Sequence, residues 1–129
     1  MRLEQLAAQT YTVRDYLKTP EDIARSLNRI RGIGYPAVQL SGLGPVETPE
    51  LKRILEGEGL TCCATHEPPD EILDQPEQVA ERLHQLDCRY TAYPYPAGWE
   101  FKTIDDVYHF AGRLNHAGQV LLDAGVVLT

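Results

Sequence analysis

Thr19-Pro20-Glu21, Thr48-Pro49-Glu50 and Gln75-Pro76-Glu77 each open a stretch with helical apolar spacing, and Thr103-Ile104-Asp105 opens a fourth without the proline. The unit recurs about every 28 residues, and each helical stretch runs into a short apolar segment. In the first unit Thr19 can cap the helix, Pro20 suits its first turn, and Glu21 and Asp22 place negative charge at its positive end. Ile23, Leu27 and Ile30 fall on one stripe, the mark of a helix that buries one side. Gly32 and Gly34 stop it, because glycine tolerates the left-handed conformation of a helix end. The strand Ala37-Val38-Gln39-Leu40 follows and closes in Ser41-Gly42-Leu43-Gly44-Pro45, a run of turn formers.

The later units run the same way. Leu51, Ile54 and Leu55 lead to Gly57 and Gly59 and a strand over 60–65; Val79, Leu83 and Leu86 lead to a strand over 89–93, closed by Pro94-Tyr95-Pro96-Ala97-Gly98. The fourth helix carries Val107, Phe110, Leu114 and Leu121 and ends at Gly125 before Val126-Val127-Leu128-Thr129. A first strand over 6–10 precedes them all. Short apolar strands separated by helices imply a parallel sheet, since a parallel neighbour needs a crossover of about a dozen residues. Two α/β architectures fit: an eight-stranded barrel seen in part, or a five-stranded doubly wound sheet. The length of 129 residues suits the second. The ending suits the first, because no residue follows the fifth strand to cover the sheet. The expectation is therefore an incomplete (β/α)8 TIM barrel of about four and a half βα units, with residues 1–129 forming the amino-terminal part of a single domain.

The formal charge is -7 and the pI about 5.0, with the 12 Lys and Arg residues scattered, which argues against a phosphate backbone as partner. No apolar run approaches the ~20 residues that span a bilayer, and the first residues carry an acid and no signal-peptide core, so the sequence predicts a cytoplasmic protein. The three cysteines lack C-x-x-C spacing and read as reduced, mostly buried thiols.

In either architecture chemistry sits at the carboxyl ends of the strands. The residues there are Gln9, Thr10, Tyr11 and Arg14 after the first strand, Gln39 and Ser41 after the second, His66 and Glu67 after the third, and Tyr93 and Tyr95 after the fourth. Amides and aromatic rings suit a polyhydroxylated small molecule. His66 is the sharpest candidate, able to bind substrate, move a proton or ligate a metal. Glu67 is either a partner of His66 or a loop carboxylate in water. Tyr93 and Tyr95, stiffened by alternating prolines, either touch ligand or cover the sheet mouth; Arg14 and Asp15 either bind or pair with each other. His84, His109 and His116 lie within helices and read as solvated. Glycine-rich phosphate loops, nucleophile elbows and H-E-x-x-H are all absent.

At Gln9-Thr10-Tyr11-Thr12-Val13-Arg14-Asp15, Gly32-Ile33-Gly34-Tyr35-Pro36-Ala37-Val38-Gln39-Leu40-Ser41-Gly42, Ala64-Thr65-His66, Tyr93-Pro94-Tyr95 and the run from Leu121 to Thr129, the chain resembles the sugar phosphate isomerase/epimerase family, the xylose-isomerase-like barrels. The resemblance implies a sugar or sugar phosphate as substrate and proton transfer next to a carbonyl. It gives His66 a catalytic role and Gln9, Tyr11, Gln39, Glu67, Tyr93 and Tyr95 substrate-side roles. It also implies a divalent metal (Mn, Mg, Zn or Co) held by later strands of the whole protein, with no metal ligand in this chain, so that this part is expected to be inactive alone. Gln39 stands where many members carry glutamate. Two other readings stay open: a half barrel that self-associates through its open edges, and a doubly wound receiver-like signalling domain, for which the acidic cluster and terminal lysine are missing.

Overall fold

The computed structural model describes residues 2–129. Five strands, β1 (Ala7–Gln9), β2 (Ala37–Leu40), β3 (Thr61–His66), β4 (Tyr90–Ala92) and β5 (Val127–Leu128), form one sheet. All four pairings are parallel. The helices are α1 (Pro20–Ile33), α2 (Thr48–Glu58), α3 (Pro69–Asp74), α4 (Pro76–Gln85) and α5 (Ile104–Asp123). The strand order is β1-β2-β3-β4-β5, each strand beside its neighbour in the chain. A doubly wound sheet reverses its order at a switch point; this one never does. It is the wall of a barrel, and the receiver-like alternative is set aside.

Right-handed crossovers between consecutive strands put every helix on the same face of the sheet. That face holds the core. Val38, Cys62 and Val126 from the strand segments meet Ile23, Leu27, Leu51, Ile72, Leu83 and Leu121 from the helices, all between 0% and 4% exposed. Thr65 and Thr91, paired in register, are buried there too and satisfy each other through their hydroxyls (Oγ1 to Oγ1, 3.0 Å). The other face carries Ala7, Gln9, Gln39, Cys63, His66 and Tyr90, none of them buried.

The helix starts follow the sequence. Thr19 Oγ1 accepts the Asp22 amide at 3.2 Å, and Gly34, at φ 115°, ends α1. Thr103 and Asp106 form a reciprocal capping box on α5. Three details depart from expectation. Residues Thr10–Tyr16 wind into a 3-10 segment, and Pro69-Asp70-Glu71 starts the extra short helix α3 with proline and acids in its first turn. The Thr48 hydroxyl does not cap α2, whose N-cap is Glu47.

β3 contains a bulge. Val38 pairs with Cys62 but Gln39 pairs with Ala64, leaving Cys63 as the extra residue, its Sγ donating to Val38 O at 3.3 Å. Two successive residues, Cys63 and Ala64, therefore lie on the open side, and the alternation resumes one step late with Thr65 buried and His66 on the open face. Cys62 and Cys88 are buried and Cys63 is exposed, in keeping with thiols read as mostly buried. Cys62 Sγ donates to Ala64 O at 3.5 Å and Cys88 Sγ to Tyr90 O at 3.4 Å; the neighbouring Cys88 thiol and burial push the Cys62 thiol up, and the same neighbour holds the Cys88 thiol down.

The Thr103 amide and hydroxyl hold the Asp106 carboxylate below its ordinary value of 3.8. A depressed folded value means that the stability this box supplies is complete above the unfolded value and is lost as pH falls through the folded one. Acid titration followed by far-UV circular dichroism should therefore show helix loss that begins below about pH 4. In Asp106→Asn that part of the pH dependence disappears, leaving a lower and flatter curve.

Candidate functional site

Parallel register sets Gln9 beside Gln39, and the β3 bulge turns His66 to the same face. Gln9 Nε2 donates to Gln39 Oε1 at 3.0 Å, and Gln39 Nε2 donates to His66 Nε2 at 2.6 Å. With Nε2 accepting, the imidazole is neutral and carries its proton on Nδ1, which donates to Ser41 Oγ at 3.2 Å. Three strand ends and one loop thus join into a single directed chain of hydrogen bonds.

Ser41 is held from beneath. Thr10, fully buried, donates its hydroxyl to Ser41 O and accepts the Ser41 amide, both at 2.7 Å. The loop continues to Gly44, whose amide donates to Leu17 O at 2.7 Å. An added Cβ at Gly44 would stand 2.2 Å from Lys18 O, so only glycine allows this approach of backbone to backbone. These contacts tie the loop after β2 to the segment after β1, and so fix the partner of His66. Between this loop and the start of α3 lies an open cleft of about 520 Å³, lined among others by Ser41, Gly42, His66, Glu67, Pro68 and Arg82.

The remaining sequence candidates are dispersed. Glu67 is 5% exposed and its Oε2 lies 3.1 Å from Arg82 Nε, while Arg82 Nη1 donates to Thr48 Oγ1 at 3.0 Å. It is neither a partner of His66 nor a carboxylate in water, but the buried half of an ion pair whose half-exposed partner Arg82 anchors the loop after β3 to α2 and α4. Tyr93 follows Ala92 in β4 and turns to the helix side, where its ring meets Phe110 edge-on at 5.7 Å; it is absent from the strand-tip cleft. Tyr95 stands in the following loop, 63% exposed. Tyr11 lies at the rim beside Gly42, with the Arg14 guanidinium 4.4 Å over its ring. Asp15 pairs with Lys18 and not with Arg14. Of the helix histidines, His84 bonds through Nε2 to Ala124 O at 2.8 Å and His109 packs edge-on against Trp99 at 5.6 Å. Arg82, which governs Glu67, has no local signature in the sequence, since the two lie on different elements.

Among the described residues no three His, Cys, Asp or Glu side chains converge as metal ligands. Gln39 brings an uncharged amide to His66, and Glu67 is committed to Arg82. The divalent ion implied by the resemblance does not fit the donor set of this chain. No helix among the described residues is long and apolar enough to cross a membrane.

No family model and no curated protein matches the sequence. Solved structures do match. A sugar phosphate isomerase/epimerase from Parabacteroides distasonis is 17% identical with a TM-score of 0.79, the alignment covering 99% of this chain and 51% of that one. The fold is that of half a TIM barrel. An AP endonuclease, family 2, from Brucella melitensis gives 17% identity and a TM-score of 0.71 over 95% of this chain and 52% of its own. A xylose isomerase domain containing protein from Salmonella typhimurium gives 10% and 0.67, over 99% and 49%. The half-barrel spans about half the length of each, and identities this low speak for architecture alone.

The Glu67–Arg82 pair gives a direct test of what holds the half-barrel's loop after β3. Arg82→Leu strands a buried carboxylate, which should cost about 3 kcal/mol by urea denaturation. Arg82→Leu combined with Glu67→Leu should recover most of that loss, since the penalty lies in the unpaired charge.

Proposed function

We propose that the half-barrel is the substrate-holding part of a sugar or sugar phosphate isomerase/epimerase, with Gln9, Gln39 and His66 reading the hydroxyls of the substrate at the strand tips. The observation that carries this reading is the hydrogen-bonded chain Gln9–Gln39–His66–Ser41 on the open face. Amides on adjacent strands can donate to one oxygen and accept from the next, as a polyol requires. His66 has Nδ1–H anchored on Ser41 and Nε2 turned toward Gln39. A substrate hydroxyl that displaces the Gln39 amide meets a neutral imidazole nitrogen ready to accept its proton. The remaining charge stabilisation belongs to groups outside this donor set, so the half-barrel's own contribution is binding, orientation and one proton acceptor. The same architecture serves an AP endonuclease, but a net charge of -7 with scattered basic residues favours a small neutral or weakly charged ligand over a nucleic acid.

Titration of the 15N-labelled chain with a panel of aldoses, ketoses and their phosphates should shift the His66 ring and the Gln39 side-chain amide together. Gln39→Leu removes one such hydrogen bond and should weaken binding roughly fivefold to tenfold. Shifts scattered over the surface, or affinity unchanged by Gln39→Leu, would count against the reading.

A second reading, self-association, draws support from the bare sheet face and from the outer edges of β1 and β5, which pair with no further strand among the described residues. Such edges and faces favour pairing with another chain. Sedimentation equilibrium should give a dimer or larger species at micromolar concentration. A folded monomer across that range would refute it.

A further inference from the structure

We propose that Cys62 and Cys88 form a modification site, a pair that the fold selects for a disulfide between β3 and β4 when the chain folds in the presence of a small disulfide oxidant. The register places the two residues side by side. Thr65 pairs with Thr91 and His66 with Ala92, and counting three residues back along each segment gives Cys62 and Cys88. The two segments also turn in step. Cys62 and Thr65 are buried with Cys63 and Ala64 between them on the open side, and Cys88 and Thr91 are buried with Arg89 and Tyr90 exposed between them. Each thiol makes the same local contact, donating to the carbonyl two residues on, Cys62 to Ala64 O at 3.5 Å and Cys88 to Tyr90 O at 3.4 Å. Neighbouring strands run about 4.8 Å apart, within the roughly 4.4–6.8 Å that separates the Cα atoms of disulfide-linked residues.

Three cysteines allow three pairings, and the sheet rejects the other two. Cys62 and Cys63 are consecutive, with Cα atoms about 3.8 Å apart, and their side chains leave opposite faces of the strand. Cys63 and Cys88 also lie on opposite faces, so their Cβ vectors point apart. In the folded chain Cys62 is 4% exposed and Cys88 2%, which leaves a reagent little to touch. The bond therefore forms while the chain is still folding, where a small disulfide reaches both thiols, and the finished sheet keeps it. In the first step one thiol, as its thiolate, attacks a sulfur of the small disulfide, breaks that S–S bond and releases a thiolate that takes up the lost proton. The second thiol then attacks the protein sulfur of this mixed disulfide, forms the Cys62–Cys88 bond and gives its proton to the second leaving thiolate. Two protein thiols are oxidised and one small disulfide is reduced to two thiols. The link closes a loop through α3 and α4 and fastens the strand that carries His66 to its neighbour. This inference does not depend on the proposed function of the strand tips.

The full chain is unfolded and reduced in urea, then refolded in a buffer of reduced and oxidised glutathione; remaining thiols are alkylated, and the linked peptides are fragmented in a mass spectrometer. The expected product is lighter by two hydrogens before alkylation, carries its one alkyl group on Cys63, and joins Cys62 to Cys88. The same buffer with urea kept throughout should give about tenfold less of this linkage, since a bond that the fold favours must in turn stabilise the fold. For the same reason the linked chain should show a higher urea midpoint than the reduced one, and dithiothreitol should reverse the gain. Cys63→Ala should keep the link, and Cys62→Ala or Cys88→Ala should lose it. The proposal is overturned if the refolded chain retains three free thiols or pairs Cys63 with either partner. It is overturned equally if urea leaves the yield of the link unchanged, if Cys63→Ala loses the link, or if the link lowers the midpoint.

Discussion

Parallel pairing of each strand with its chain neighbour, from Ala7 against Ala37 to Tyr90 against Val127, is the constraint from which the rest follows. Every crossover then returns on the same side, and the helices pile their apolar stripes onto that side only. Leu27, Leu51, Leu83 and Leu121 can be completely buried because a single layer of helix covers a single face of sheet. The opposite face is left to whatever every second strand residue provides. In this chain it provides Ala7, Ala37 and Tyr90 low on the strands and amides and an imidazole at their tips.

The polar chain across those tips depends on rigid support from the helix side. Thr10 is buried to the point of having no exposed surface, yet both of its hydroxyl functions are satisfied by the Ser41 backbone. Such a group is costly if half paired and firm if fully paired. Gly44 adds a backbone contact that no other residue could make, and the Glu67–Arg82 pair secures the next loop. His66 therefore stands between two anchored loops, with its ring direction set before any ligand arrives. That kind of preorganisation lowers the ordering cost of any ligand that hydrogen-bonds there.

Local chemistry made the helices legible. Thr19, Pro20, Glu21 and Asp22 announce α1 in the sequence and perform those roles in the structure. The strand positions were legible from apolar runs, with both ends of β2 as read and the ends of the other strands each one residue away. What local signals left open was the choice between barrel and doubly wound sheet, because both have the same order of elements along the chain and differ only in which strands touch. Gln9, Gln39 and His66 were legible as a set because strand tips converge in any parallel sheet. Tyr93 was not, since its side of β4 depends on a register established by β3, two elements away. Arg82 escaped notice because its partner Glu67 lies 15 residues earlier on another element. The helix α3 was hidden by Pro68-Pro69, which reads as a loop until the following acids are seen to fill a first helical turn.

The extra residue in β3 carries a wider consequence. With Cys63 kept in unbroken alternation, Thr65 would rotate outward and His66 would enter the helix layer; the bulge at Cys63 is what leaves Thr65 buried and His66 on the open face. Where a strand takes up its extra residue is thus enough to present or withdraw an imidazole, with no side chain exchanged.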